Sequence, residues 1–314
     1  MRDIQNIVTD KKEISLETNR RTGISFWFKV ILEVAKIRIT VLVAFTTTLG
    51  YILASENLQS LSMFPVLGIF FLACGAAALN HFQERRTDLL MERTRNRPIP
   101  LGVVSPTTVL LISVTFLSLG IVILLLKSNL LTLAVGLLTF VWYNGVYTPL
   151  KKVYSLAIIP GSLVGALPPV AGWVAAGGSI VDPKIILLAS FFFVWQIPHF
   201  WILLLVYGKD YDKGGFPTLT NRLSKKQLTN ITFCWIILTI VLALTFNFFG
   251  IMNYFVTGIL NVLICGWLFV QSLSFYTSND NNKEMKKMFV SINIFTLLII
   301  TLLSLDKLVN LFLN

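Results

Sequence analysis

Apolar residues in this chain fall in long uninterrupted blocks, and the polar stretches between them carry nearly all the charge. A block of about 20 apolar residues is the length at which a helix crosses hydrocarbon. The segmentation predicts nine such spans, at 37–54, 64–83, 107–126, 130–148, 156–175, 185–206, 228–249, 253–276 and 288–309. Nothing outside them is long enough to fold separately. The reading is an all-α membrane protein, with a polar cytoplasmic tail at 1–35 and a single nine-helix domain at 36–314. Loops alternate in character along the chain. The stretches 55–63, 127–129, 176–184 and 250–252 are short, whereas 84–106 and 207–227 are longer and charged.

Composition agrees: the 314 residues are 55% hydrophobic and 13% charged, with mean hydropathy +0.76. The net charge of +11 would suit a nucleic-acid binder, but its placement argues for topology instead. With the N-terminus inside, only Lys127, Lys184 and Lys307 of the 26 Lys and Arg fall on the outer side, as the positive-inside rule requires. The expected location is therefore a bacterial inner membrane, with the N-terminus cytoplasmic, the C-terminus outside, the lipid bilayer as partner and no nucleic acid. Residues 1–25 lack an apolar core and hold Asp3, Asp10, Glu13 and Glu17, so they read as neither signal nor transit peptide. Cys74, Cys234 and Cys265 lie within spans without a C-x-x-C pair and read as small packing residues.

The chemistry concentrates where the second span meets the first charged loop. Asn80, Glu84 and Asp88 recur every four residues, so a helix aligns them in one stripe of oxygen ligands. Arginines follow as far as Arg97-Pro98. One reading is an i,i+4 ion-pair face on an interfacial helix. The other is a site for a magnesium-bound diphosphate, since hard cations take carboxylates together with substrate phosphates and guanidinium groups clamp phosphate oxygens.

Four crossings later the chain returns to the same face with Lys209-Asp210-Tyr211-Asp212-Lys213-Gly214-Gly215-Phe216-Pro217. Asp210 and Asp212 would supply further metal contacts and Lys213 or Lys209 a phosphate contact, or the segment is a solvated turn. A Pro closes each charged motif, Pro98 and Pro217, a weak parallel repeat of the kind that places a site between two halves. Upstream, Trp195-Gln196-Ile197-Pro198-His199 puts polar groups at membrane depth, where they usually face the bundle interior or a wet cavity. His199 would serve as haem ligand, proton acceptor or hydrogen-bonded structural residue. Pro168-Pro169 lies in a Gly-rich span that allows close helix contact, with Lys151 and Lys152 at its inner entrance.

These strings resemble the UbiA superfamily of intramembrane prenyltransferases. The match runs from Asn80, Glu84 and Asp88 through Met91-Glu92-Arg93-Thr94-Arg95-Asn96-Arg97-Pro98 to Gly165-Ala166-Leu167-Pro168-Pro169, Trp195-Gln196 with Pro198-His199-Phe200, and Asp210-Tyr211 with Gly215 and Pro217. The longer strings look like the family's haem branch. Two positions depart from the family pattern: many members follow the Asn directly with Asp, where this chain has His81, and carry a second Asp four residues before the Asp210 position, where this chain has Val206.

The resemblance implies nine helices around a central cavity opening near the cytoplasmic face. It also implies magnesium-dependent transfer of a farnesyl group from farnesyl diphosphate to a vinyl group of haem B, giving haem O. On that reading Asn80, Glu84, Asp88 and Asp210 are catalytic and, with Asp212, hold metal. Arg93, Arg97, Lys151, Lys152 and Lys213 bind diphosphate, while His199, Trp195 and Arg38 face haem. A haem A synthase or an oxidase assembly factor would be the downstream partner. The rivals are a sister enzyme that alkylates an aromatic quinone precursor, and a secondary transporter for an anionic metabolite, whose site belongs at mid-membrane on broken helices.

Overall fold

The computed structural model describes residues 23–277 and 282–313. Among them nine helices are long and apolar enough to cross a membrane, and there is no strand. A short helix α1 (Ile24–Val34) precedes α2 (Ile37–Ala54), α3 (Phe64–Asp88), α4 (Pro106–Lys127), α5 (Leu130–Leu150), α6 (Ile158–Ala175), α7 (Pro183–Lys213), α8 (Lys225–Thr245), α9 (Phe255–Thr277) and α10 (Asn282–Leu313). All nine expected spans are present, with edges displaced by a few residues. Arg2, Lys11, Lys12, Arg20 and Arg21 of the expected basic tail lie outside the described residues.

Local chemistry sets the helix starts. Ser105, Asn129, Asp182 and Ser224 each accept a hydrogen bond from a first-turn backbone N–H of α4, α5, α7 and α8, which satisfies donors a helix end leaves open. Pro106 and Pro183 occupy first positions, where a missing N–H costs nothing. Neighbours in sequence pack as neighbours in space, α3 on α4, α7 on α8 and α9 on α10, and α10 closes back on α2. The central helices α3 and α6 are more buried than α4 and α9, whose Leu, Val and Phe side chains face outward, as lipid contact demands.

Three features depart from the sequence reading. Residues 24–34, expected within a polar tail, form a helix whose Val30 and Val34 pack on Ala78, Ile99 and Val104. The charged stretch from 207, expected as a loop, continues α7 to Lys213 beyond a non-helical Tyr207 (φ −119°, ψ 15°), and the chain turns at Gly214-Gly215, where Gly215 has φ +74°. The third concerns the cysteines: Cys74 and Cys265 are buried packing residues, but Cys234 is exposed on α8.

Candidate active site

The last turns of α3 carry Asn80, Glu84 and Asp88 on its inward face, and all three side chains are buried. Each meets a cation from a different part of the chain. Lys36 donates from Nζ to Asn80 Oδ1 at 2.6 Å. Lys151 Nζ lies 2.7 Å from Glu84 Oε1. Arg97 donates through one nitrogen to both Asp88 oxygens, at 2.9 and 2.7 Å. The α3 helix therefore supplies the acceptors, while the α1–α2 junction, the end of α5 and the loop after α3 supply the donors.

Lys36 reaches this position because the chain reverses between α1 and α2 with Lys36 in the left-handed region, φ 48°, a conformation that costs a non-glycine residue on the order of 1 kcal/mol. Burial, reinforced by the nearby Arg97 guanidinium, pushes its ammonium down to about 7. Asn80 also donates from Nδ2 to Thr148 Oγ1 at 3.2 Å. A π-turn at Trp142–Tyr147 precedes Thr148, and such turns inside α-helices occur frequently at functional sites. Asn144 within it exchanges two hydrogen bonds with Gln83, at 3.0 and 3.1 Å, and donates to the Ala76 carbonyl. That exchange fastens α5 to α3 and holds Lys151 over the Tyr147 ring, 5.1 Å from its centroid.

The remaining expected site residues divide into two groups. Asp210 accepts from the backbone N–H groups of Glu92 and Arg93, at 2.6 and 3.2 Å, while Arg93 donates to the Tyr211 hydroxyl. Lys213 pairs with Glu92 and holds its carboxyl below the usual range. These contacts tie the end of α7 to the loop that delivers Arg97. Asp212 accepts from Thr218 Oγ1 and Asn221 Nδ2, which stabilises its own turn. Lys152 donates to the Gln83 carbonyl, and Arg38 is exposed at the start of α2. Earlier on α7, the His199 ring lies 4.9 Å from Trp195 and 5.0 Å from Phe289 of α10, and its buried Nδ1 has no hydrogen-bond partner. Trp195 itself donates to the Ile292 carbonyl.

Sequence reasoning missed Lys36, Gln83, Asn144 and Thr148. Lys36 is one of the 26 Lys and Arg whose placement predicts topology, and no neighbouring motif marks it for a site. Asn144 did offer a signal, being an amide inside an apolar span. Among the described residues no three His, Cys, Asp or Glu side chains converge on one point, because the third member of the stripe is an amide and Asp210 and Asp212 are engaged elsewhere. The Asn80, Glu84 and Asp88 oxygens still form a buried, all-oxygen donor set of the kind a hard divalent cation takes. Two carboxylates face Lys151, Arg97 and Lys36, and an anionic ligand would favour the charged form of Lys36 that burial disfavours.

An all-α bundle of membrane-crossing helices that gathers buried acids and cations at one end is the architecture of an integral membrane protein with a polar site at its edge. The UbiA prenyltransferase family matches residues 43–293. The chain belongs to that family, and it is a prenyltransferase. It is 39% identical over 183 residues to a protoheme IX farnesyltransferase of Geobacter sulfurreducens, covering 58% of this chain and 67% of that one. It is 32% identical over 275 residues to the protein of the same name from Christiangramia forsetii, covering 85% and 89%. The fold is that of a digeranylgeranylglyceryl phosphate synthase structure (TM-score 0.71, 16% identity, 89% of this chain and 98% of that one). It is also that of a UbiA homologue from Archaeoglobus fulgidus bound to DMAPP and Mg2+ (TM-score 0.67, 15% identity, 88% and 98%).

Proposed function

We propose that this protein transfers a farnesyl group from farnesyl diphosphate to a vinyl carbon of haem B, with magnesium, to give haem O. The observation that carries the reading is the buried Asn80–Glu84–Asp88 stripe ringed by Lys36, Lys151 and Arg97. The names of the relatives at 32–39% identity favour haem as acceptor. Asn80, Glu84 and Asp88 would hold magnesium, which when bound supplies Lewis-acid stabilisation of the leaving diphosphate. Lys36, Lys151 and Arg97 are placed to neutralise diphosphate oxygens as the allylic C–O bond breaks and its electron pair departs with the diphosphate. Asp210 and Arg93 hold the Arg97 loop against α7. The Tyr143 and Tyr147 rings stack at 6.0 Å, and Tyr147 holds the Lys151 ammonium over its face beside the diphosphate position. The vinyl carbon then bonds to the allylic carbon, and water adds to the new cation, leaving a hydroxyl and releasing a proton.

A transfer assay with labelled farnesyl diphosphate and either haem B or 4-hydroxybenzoate tests the proposal. Label in haem alone is the expected result. Label in the aromatic acid would assign the chain to quinone synthesis, and transfer to neither acceptor would remove the proposed activity.

His199 separates acceptor from donor. It lies on α7 some way from the charged stripe, with Trp195, Phe200 and Phe289 around it and one nitrogen unpaired. His199→Ala is expected to weaken haem binding, followed by absorbance titration, and to leave calorimetric affinity for a non-hydrolysable farnesyl diphosphate analogue within about twofold, because no charged contact is lost. Loss of analogue binding with normal haem binding would place His199 in the donor site.

The orientation we propose puts the charged loops in the cytoplasm. Reporters inserted at 84–106 and 207–227 should read inside, and one fused after residue 314 should read outside. An inside reading at the C-terminus would break the proposed orientation of α8–α10.

A further inference from the structure

Two buried acceptors on adjacent turns of α7 have no donor. Gln196 Oε1 and His199 Nδ1 belong to residues three apart, a spacing that brings side chains to one helix face, and among the described residues no hydrogen-bond donor reaches either. Pro198, between them, withholds the N–H that the Val194 carbonyl would accept in an unbroken helix. Trp201 has an unpartnered N–H close by in sequence, but its ring meets Trp235 of α8 edge-on at 6.1 Å. Buried polar groups are nearly always satisfied, so acceptors gathered without a donor call for a molecule that donates. Water, with two hydrogens to give, is the smallest that does.

The side of α6 that Gln196 meets leads back to the charged stripe. A Cβ on Gly165 would collide with Gln196 Oε1, so the missing side chain makes the space that the Gln196 carbonyl fills. Four residues earlier, a Cβ on Gly161 would collide with the Tyr147 ring. Tyr147 carries the Lys151 ammonium over its face, and Lys151 pairs with Glu84. Gly161 and Gly165 lie on one side of α6, about 6 Å apart at 1.5 Å per residue. One turn of helix therefore joins the diphosphate position to the Gln196 amide. His199 stands beside it among Trp195, Phe200 and Phe289, walls that keep other water out.

We propose that Gln196 and His199 hold and activate the water that ends the reaction. The inference rests on the farnesyl transfer to haem B argued above. Bonding of the allylic carbon to the terminal vinyl carbon leaves a cation on the inner one. The Gln196 carbonyl accepts one hydrogen of the water and aims its oxygen at that cation. As the C–O bond forms, the other proton passes to His199 Nδ1, the imidazole already carrying its own proton on Nε2. Diphosphate has left with the electron pair of the allylic C–O bond, so the balance is one water consumed and one proton gained by the imidazole. A cation that no water meets loses a proton from the neighbouring carbon and becomes an alkene, lighter by one water. Placement of the water decides between the two products.

The test is the product that the full-length protein makes from haem B and farnesyl diphosphate, identified by mass spectrometry. Wild type should give the hydroxylated haem almost alone. Gln196→Leu and His199→Phe should each raise the share of alkene about tenfold, the effect of losing one oriented hydrogen bond. Gly165→Ala should do the same with both residues kept, because the clash is with the movable end of Gln196 and not with backbone. The ratio is read per molecule converted, so slower turnover or weaker haem binding leaves it unmoved. A merely structural role would lower the amount of product and keep the ratio. An unchanged ratio in Gln196→Leu and His199→Phe overturns the proposal, and where either makes no product the ratio in Gly165→Ala decides. Absence of prenylated haem from wild type as well would remove the farnesyl transfer itself, and this proposal with it.

Discussion

Asp88→Asn is expected to reduce prenyl transfer by about 10²–10³-fold while the protein still inserts and purifies as a single species. Asp88 is fully buried and takes both its hydrogen bonds from one Arg97 nitrogen. Asn fills the same space but removes one of the two carboxylates that balance Lys36, Lys151 and Arg97. The remaining donor set would hold a divalent cation less well, and the half-buried Arg97 would be left beside two other cations. Removing one partner of a buried pair typically destabilises by about 3–5 kcal/mol, so turnover must be normalised to folded protein. Glu84→Gln, which strips Lys151 of its partner, should act alike. Near-normal turnover of both variants at saturating magnesium would reduce the stripe to an ion-pair face.

The spans and the stripe could be read from one dimension because both depend on local periodicity. Hydrocarbon thickness dictates block length, and a four-residue spacing places Asn80, Glu84 and Asp88 on one face wherever the helix goes. The partners of the stripe are a different matter. Lys36 lies 44 residues from Asn80 and Thr148 lies 68 residues away, so nothing in local spacing joins them. Lys36 further depends on a left-handed residue between two helices, a conformation that Gly usually marks and that no Gly marks here.

The second acidic motif shows the opposite limit. In the sequence Asp210 and Asp212 read either as further metal contacts or as part of a solvated turn. In the structure α7 bends at Tyr207 and runs on, so Asp210 points to the backbone of the Arg93 turn and Asp212 to Thr218. The Pro inside α7, Pro198, was the more obvious place for a break, yet the non-helical dihedrals fall at Tyr207. Pro198 removes one backbone hydrogen bond from α7 while the dihedrals there stay helical.

Gly172→Ala is expected to be the most damaging single-methyl addition to this fold. A Cβ on Gly172 would lie 1.8 Å from the Thr47 carbonyl oxygen and 2.8 Å from the Tyr51 nitrogen, both backbone atoms of α2. The reciprocal contact is as tight, with a Cβ on Gly50 falling 1.9 Å from the Pro169 carbonyl oxygen on α6. A side chain in the way could rotate aside, but backbone cannot, so the two helices must separate along their shared face. Overpacking a well-filled interior typically costs about 1–3 kcal/mol, and a backbone clash belongs at the upper end or beyond. For a chain of this length that corresponds to a fall in Tm of roughly 5 °C or more. Gly266→Ala is the control: it lies within α9, a Cβ there meets nothing within 4 Å, and helix propensity favours Ala by up to about 1 kcal/mol. Because Lys36 caps the start of α2, prying that helix from α6 should also disturb the Lys36–Asn80 contact and lower activity per folded molecule. Thermal unfolding in detergent followed by size exclusion separates the two effects. A Gly172→Ala protein as stable as Gly266→Ala would mean that α2 and α6 do not approach this closely in the membrane.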